Sequence, residues 1–137
     1  MERIADILKL AAAAAGAAAS YLWGPFDALI LTLVAVVCID YITGIVKAVI
    51  LKELSSGVGF RGLLKKMFIF ALVALATVID GMIPAAKDAI RTAVIGFYVA
   101  NEGISILENA GAIGLPMPKA LKGALERLQE AGENAQE

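Results

Sequence analysis

Histidine is absent from this 137-residue sequence and cysteine occurs once, at Cys38. Zinc chemistry of the usual His/Cys kind, a Ser-His-Asp triad and an internal disulfide are thereby excluded. Charge is scarce too: Asp, Glu, Lys and Arg make up 18% of the residues, and 12 Lys and Arg against 13 Asp and Glu leave a formal net charge of −1. No broad lysine-rich stripe is present to follow a phosphate backbone, so nucleic acid is not expected as a partner. Cys38 lies inside an apolar run, where a thiol acts as a small hydrophobe, buried or facing lipid.

What the sequence has in excess is apolar surface, at 60% hydrophobic residues and a mean hydropathy of +0.81. A short soluble domain leaves much of its surface exposed and cannot hide that excess in one core, whereas lipid can cover it. The expected fold class is therefore all-α: an integral membrane protein with three to four transmembrane helices and a short cytoplasmic C-terminal helix. Met1-Glu2-Arg3 ahead of an apolar stretch has the outline of a signal peptide, but Glu2 and Asp6 dilute its positive end, and the segment is expected to be retained.

Four segments are legible in residues 1–110, followed by a tail over 111–137. The first, about Ile4 to Trp23, reaches about 30 Å at the rise of a helix and just suffices to span. Its alanine content makes it a good helix but a weak hydrophobe, so an amphipathic helix at the interface competes with a spanning one. Tyr21 and Trp23, followed by Gly24-Pro25, are expected to anchor and end it at the far surface. The second, about Asp27 to Leu51, contains the unbroken apolar run Ala28 to Ile39; its length favours a membrane helix over a buried strand. The third runs from about Gly62 to Ile83 and the fourth from about Ala86 to Asn109, with a loop between Lys52 and Arg61. After the breakers Gly111, Gly114, Pro116 and Pro118 comes a polar helix, about Lys119 to Glu130, and a frayed tail from Gly132.

Orientation follows from the basic residues. With four spans and the N-terminus inside, Arg3, Lys9, Lys47, Lys52, Arg61, Lys65, Lys66, Lys119, Lys122 and Arg127 lie inside, and only Lys87 and Arg91 outside. The positive-inside rule then places the Lys52–Arg61 loop and the C-terminus in the cytoplasm, with Lys47, Lys52, Arg61, Lys65 and Lys66 as anchors at the anionic inner surface.

Polar groups inside spans are the candidate functional residues. Asp40 sits about a dozen residues into the second segment, where an unpaired carboxylate costs roughly 2.5–3.5 kcal/mol on insertion scales. It must be protonated, paired or open to internal water. Tyr41 and Thr43 adjoin it, and Asp40, Gly44 and Ala48 share one helical face. That face reads as an interhelical seam, or as an ordinary internal polar group. In the fourth segment Asn101, Ser105 and Glu108 share one side, and Glu102, Ser105 and Asn109 a neighbouring one. This wedge reads either as a pore lining or hydrated subunit interface, or as a set of caps for the inner end of the helix. Small residues recur at intervals of four at Ala12, Gly16 and Ser20 and at Gly96 and Ala100, a spacing that lets backbones approach. Gly57-x-Gly59-x-x-Gly62 matches a dinucleotide fingerprint in letters only, since a membrane helix rather than a strand precedes it. Those glycines are expected to shape the turn and helix entry. No nucleophile-base pair or metal cluster stands out, so no catalytic residue, metal or cofactor is expected.

In the order Asp40-Tyr41-Ile42-Thr43-Gly44, then Ser55-Ser56-x-x-Gly59-Phe60-x-Gly62-x-x-Lys65-Lys66, then Asn101-Glu102-x-x-Ser105-Ile106-x-Glu108-Asn109 with Gly114-x-Pro116-x-Pro118, the chain resembles the bacteriophage holin family. That family also includes the holin-like proteins of clostridial toxin secretion. The resemblance implies a small multi-pass protein of the bacterial host's cytoplasmic membrane that accumulates, oligomerises with itself among membrane lipids and opens lesions at a set time. Endolysin, a functional partner that need not bind directly, then reaches the peptidoglycan and the host lyses. A holin-like role in toxin or protein export is the variant within the family. The readings from other classes are a non-lytic membrane scaffold and a small transporter or channel.

Overall fold

The computed structural model describes residues 1–134, and among these the chain forms five α-helices: α1 (Glu2–Trp23), α2 (Ala28–Ile50), α3 (Ser56–Met82), α4 (Ala89–Ala112) and α5 (Lys119–Asn134). A 3-10 turn, Pro84–Ala86, joins α3 to α4. The frayed tail expected from Gly132 is helical to Asn134, and residues 135–137 lie outside the described residues.

Local chemistry sets the helix ends. Asp27 caps α2 by accepting the Ile30 N–H at 3.1 Å. At the other end of α2 the Lys52 N–H reaches the Val49 carbonyl and the Glu53 N–H the Ala48 carbonyl, the paired bonds of a Schellman motif. Lys52 occupies its left-handed position at φ 57°. There a side chain costs roughly 1–2 kcal/mol and glycine is at ease, though glycine gives back part of this in the unfolded chain. Lys52→Gly is accordingly expected to raise the thermal midpoint in detergent by a few degrees; an unchanged or lower midpoint counts against this cap.

Helix α3 starts at Ser56 rather than at Gly62, because Ser55 accepts the Val58 N–H at 3.2 Å and caps the glycine-rich stretch into a first helical turn. Gly57, Gly59 and Gly62 therefore lie within the helix instead of forming a loop. At the far end Lys87 and Asp88 are both left-handed, at φ 48° and 62°, and Asp88 does not cap α4. The cap comes from the neighbouring helix: the Asp80 carboxylate of α3 accepts the N–H groups of Ile90 at 3.2 Å and Arg91 at 2.7 Å.

Helices α2 and α4 run parallel, and α3 runs antiparallel to both. Contacts at both ends fix this: Arg91 meets Asp27 and Asp80 at one end, and Glu102 is linked to Asp40 through Lys66 near the other. Between those two polar tiers lies the apolar core, with Leu33, Val73 and Ile95 fully enclosed and Ile30, Val37 and Ile69 around them. The eleven residues from Arg91 to Glu102 separate the tiers by about 16 Å along α4.

α2 and α3 hardly touch one another; α4 holds them together and also carries α5 on its opposite side. α5 folds back along α4: Leu125 lies against Gly103 and Gly132 against Phe97, where an added Cβ would come within 2.9 Å of its neighbour in each case. α1 is an arm. Every residue from Met1 to Ala18 is exposed, and only Ala19, Leu22 and Trp23 near its end are partly covered.

The outward faces are apolar. Leu31, Ile39, Ile42, Phe68 and Leu75 are all largely exposed, a surface water would not tolerate and hydrocarbon covers. α1, α2 and α3 are each long and apolar enough to cross a bilayer. The fold is thus that of an all-α membrane protein.

Candidate functional site

Asp40, in mid-α2, projects toward α3 and α4 and is buried. Lys66, in the third turn of α3, reaches between Asp40 and Glu102 and donates to a carboxylate oxygen of each. The three side chains are 8%, 14% and 5% exposed for Asp40, Lys66 and Glu102 respectively, so the pairs are shielded from bulk solvent. Asn109, one to two turns further along α4, donates to Asp40 Oδ1 and to Thr43 Oγ1, both at 3.1 Å. The Thr43 hydroxyl in turn donates to the Asp40 carbonyl at 3.0 Å. Among the described residues no buried side-chain nitrogen or oxygen lacks a partner. One lysine facing two carboxylates still leaves an excess of one formal negative charge in the cluster.

The close fit depends on small residues. Gly44 lies one turn beyond Asp40, and a Cβ there would stand 3.7 Å from Asn109 Nδ2. Ala48, a turn further, is buried. The Asp40, Gly44, Ala48 face is thus turned into the protein. Tyr41 points to α3, where its hydroxyl lies 3.5 Å from the Gly59 carbonyl and its ring lies beside Gly62. These two glycines make room for an aromatic ring in addition to entering the helix.

A cleft of about 920 Å³ opens between α2 and α3, floored by α4. Its inner lining contains Asp40, Lys66 and Glu102, with Asn101 and Ser105 along α4; Lys47, Glu53, Arg61 and Lys65 stand at the α2–α3 loop end; Phe68, Leu72 and Tyr98 form an apolar wall. Asn101 is exposed and Ser105 partly covered, whereas Glu102 and Asn109 are buried in the cluster and Glu108 is exposed but does not line the cleft. The polar wedge expected on α4 is thereby divided between an internal network and an open cleft.

A second polar site lies at the other end of the core. Arg91 is 2% exposed. Its Nε donates to the Trp23 carbonyl at 2.8 Å, one terminal nitrogen to Asp27 Oδ2 at 2.9 Å, and the other to the Pro25 carbonyl at 3.1 Å and Asp27 Oδ1 at 3.2 Å. The hydrogen bond from Arg91, and after it that from the Ile30 N–H, holds the Asp27 carboxyl below the ordinary aspartate range. Trp23 Nε1 donates to the Phe70 carbonyl at 2.8 Å.

Three sequence expectations change here. Lys66 is no surface anchor beside Lys65: with α3 starting at Ser56 it lies three turns into the helix, and the carboxylates of Asp40 and Glu102 draw it inward. Trp23 turns into the bundle instead of anchoring at a far surface, because Phe70 offers its indole N–H a carbonyl. Arg91, counted among the outside charges and as one of the polar residues that must turn the fourth segment toward protein or water, faces protein as a buried clamp. For Lys66 and Arg91 a signal was available, since a charge at membrane depth requires an opposite one at the same depth; for Trp23 there was none.

A sequence profile described as the bacteriophage holin family matches residues 17–130. A Clostridium perfringens protein described as an uncharacterized 14.9 kDa protein in the nagH 3′ region is 38% identical over 128 residues, covering 93% of this chain and 97% of that one. A protein of Listeria monocytogenes is 46% identical over 116 residues, covering 85% of this chain and 82% of its own. A protein of Bacillus phage phi105 described as a probable holin is 38% identical over 112 residues, 82% of each chain. No solved structure matches.

Proposed function

This chain belongs to the bacteriophage holin family, and on that premise we propose that it oligomerises in the bacterial cytoplasmic membrane and opens lesions through which endolysin reaches the cell wall and lyses the host. The observation that carries this reading is the placement of α5. Folded back along α4, it reaches Phe97, well past the level of the Asp40–Lys66–Glu102 cluster, while its outward side carries Lys122, Glu126, Arg127, Glu130 and Glu133.

A charge held in hydrocarbon costs roughly 2.5–3.5 kcal/mol on insertion scales. Lys122, Glu126 and Arg127 lie near or before the level of Glu102, and Glu130 and Glu133 lie beyond it toward Phe97; such a row of charges cannot face lipid tails, so the α4–α5 hairpin requires water or other hairpins beside it. Separate protomers meet this need poorly and an assembly meets it well, with apolar α1, α2 and α3 toward lipid and the hairpins around an aqueous path. Mass action then makes opening steep in protomer concentration. The excess of basic residues at the α2–α3 loop end favours the cytoplasm for that end; α5, folded back along α4 to Phe97, is not the separate cytoplasmic helix expected from its polar sequence.

The test uses a Cys38→Ala background with Glu126→Cys, Glu130→Cys or Glu133→Cys on the outward side of α5, reconstituted in liposomes holding a small dye and a large dextran. Both cargoes are expected to leave together, with all three cysteines labelled by a membrane-impermeant thiol reagent once release begins. Ion flux alone indicates a small channel and no release a scaffold; either result, or cysteines that stay unlabelled during release, refutes the proposal.

A further inference from the structure

We propose that the cleft between α2 and α3 binds one anionic glycerophospholipid from the leaflet that surrounds the α2–α3 loop. The cleft has two chemically distinct ends, as such a molecule does. Lys47, Arg61 and Lys65 gather at the loop end, and among the described residues none of the three has a salt-bridge or side-chain hydrogen-bond partner. Among the described residues lining the cleft Glu53 is the only acid beside them, so these four side chains carry a net charge of two positive. The acids deeper in, Asp40 and Glu102, are engaged by Lys66 and Asn109 and lie about 10 Å further along α2, the seven-residue distance from Lys47 to Asp40.

The backbone adds to the same field. The N-terminus of the 27-residue α3 opens at this mouth, with Val58 and Gly59 in the cleft wall; the Ser55 cap on the Val58 N–H reduces but does not remove the positive end of its dipole. The opposing negative end of α2 is muted, because its last carbonyls accept the N–H groups of Leu51, Lys52 and Glu53. Toward the bilayer centre the walls become Phe68, Leu72 and Tyr98, which suit an acyl chain. A volume of about 920 Å³ lies at the upper end of the roughly 300–1,000 Å³ of ligand sites. α2 and α3 make few direct contacts across it, so no side chain of this protein fills the space. A phosphate diester satisfies the cations and its chain satisfies the wall; neither a free anion nor an apolar helix does both.

Native mass spectrometry of the full chain in detergent, with added phosphatidylglycerol or phosphatidylcholine of the same chains, tests this independently of lesion formation. Phosphatidylglycerol is expected to stay bound at one per protomer with a preference of roughly tenfold or more. Arg61→Gln with Lys65→Gln, both exposed side chains, is expected to abolish the preference, while Lys119→Gln with Lys122→Gln leaves it intact. Leu72→Trp, which fills the apolar end, is expected to reduce retention of both lipids. Equal retention of the two lipids overturns the proposal. So does an equal loss in the Lys119/Lys122 variant, which indicates a diffuse surface attraction, or an unaffected Leu72→Trp. Appearance of a dimer that excludes lipid assigns the cleft to a second copy of the chain and overturns it as well.

Discussion

Lys66→Met is expected to leave the protein aggregated or unfolded in mild detergent, with a loss of about 3–5 kcal/mol, the usual cost of removing one member of a buried ion pair. The substitution keeps the volume of the side chain and removes only its charge. What remains is Asp40 and Glu102 turned toward the same space, with the Asn109 amide, among the described residues, still donating to Asp40. Attraction becomes repulsion at a site shielded from bulk solvent. Lys66→Arg retains the charge but carries a larger planar head, so a partial loss is expected from it.

The informative counterpart is the triple change Asp40→Asn, Lys66→Met, Glu102→Gln. A buried ionic cluster is expensive to desolvate, and replacing all its charges at once is often neutral or stabilising. The triple variant is expected to recover a single symmetric peak in size-exclusion chromatography and a thermal midpoint near that of the parent. If Lys66→Met alone keeps the parent's midpoint within a few degrees, the cluster does not hold α2, α3 and α4 together. If the triple variant folds but releases no cargo from liposomes, the charges themselves belong to the lesion.

The helix order was legible because each segment is an apolar run of membrane length ending in polar or glycine-proline breakers. Asp40 stood out by the same logic, as a carboxylate too deep to be alone. Its partner did not, because three glycines in six residues read as a loop; that delayed the start of α3 and left Lys66 at the surface. Each of those glycines costs about 1 kcal/mol relative to alanine in a helix, a local preference that the Ser55 cap and the packing of Tyr41 offset. Periodicity grouped Glu102, Ser105 and Asn109 on α4, but period alone does not say which side meets protein. The docking of α5 was hidden for a different reason. Its polar composition reads as a solvated helix, and only the close approach of Gly103 to Leu125 and Gly132 to Phe97 places it against α4.

At the other end of the core, Arg91→Ala is expected to cost about 3 kcal/mol and to free α1 from the bundle. Four hydrogen bonds are lost together, to the carbonyls of Trp23 and Pro25 and to both oxygens of Asp27. Hydrogen bonds to a charged group contribute about 1.5–3 kcal/mol each when buried, but the sum is discounted here because the Asp27 side chain is 36% exposed and can rehydrate. Arg91→Lys is expected to recover little, since an ammonium cannot match the bidentate grip on Asp27 while also reaching two carbonyls.

Gly24 supplies an independent route to the same state. At φ 73° and ψ −166° it occupies a region essentially closed to other residues, and a Cβ there would stand 2.8 Å from Arg91 Nε. Gly24→Ala is therefore expected to expel the guanidinium as well as strain the turn. Because both changes act on one contact, their effects in a double-mutant cycle are expected to fall well short of additive. Acid sensitivity gives a further readout. The depressed Asp27 pKa makes its pairing with Arg91 fully stabilising above the ordinary aspartate range, and this is lost as pH falls through the lower folded value; without Arg91 the decline over that window becomes shallower. Limited proteolysis within the Trp23–Asp27 connection should accelerate in both single variants to a similar degree. Cleavage no faster than in the parent would show that Trp23 and its bond to Phe70 suffice to hold α1, and that Arg91 is not its clamp.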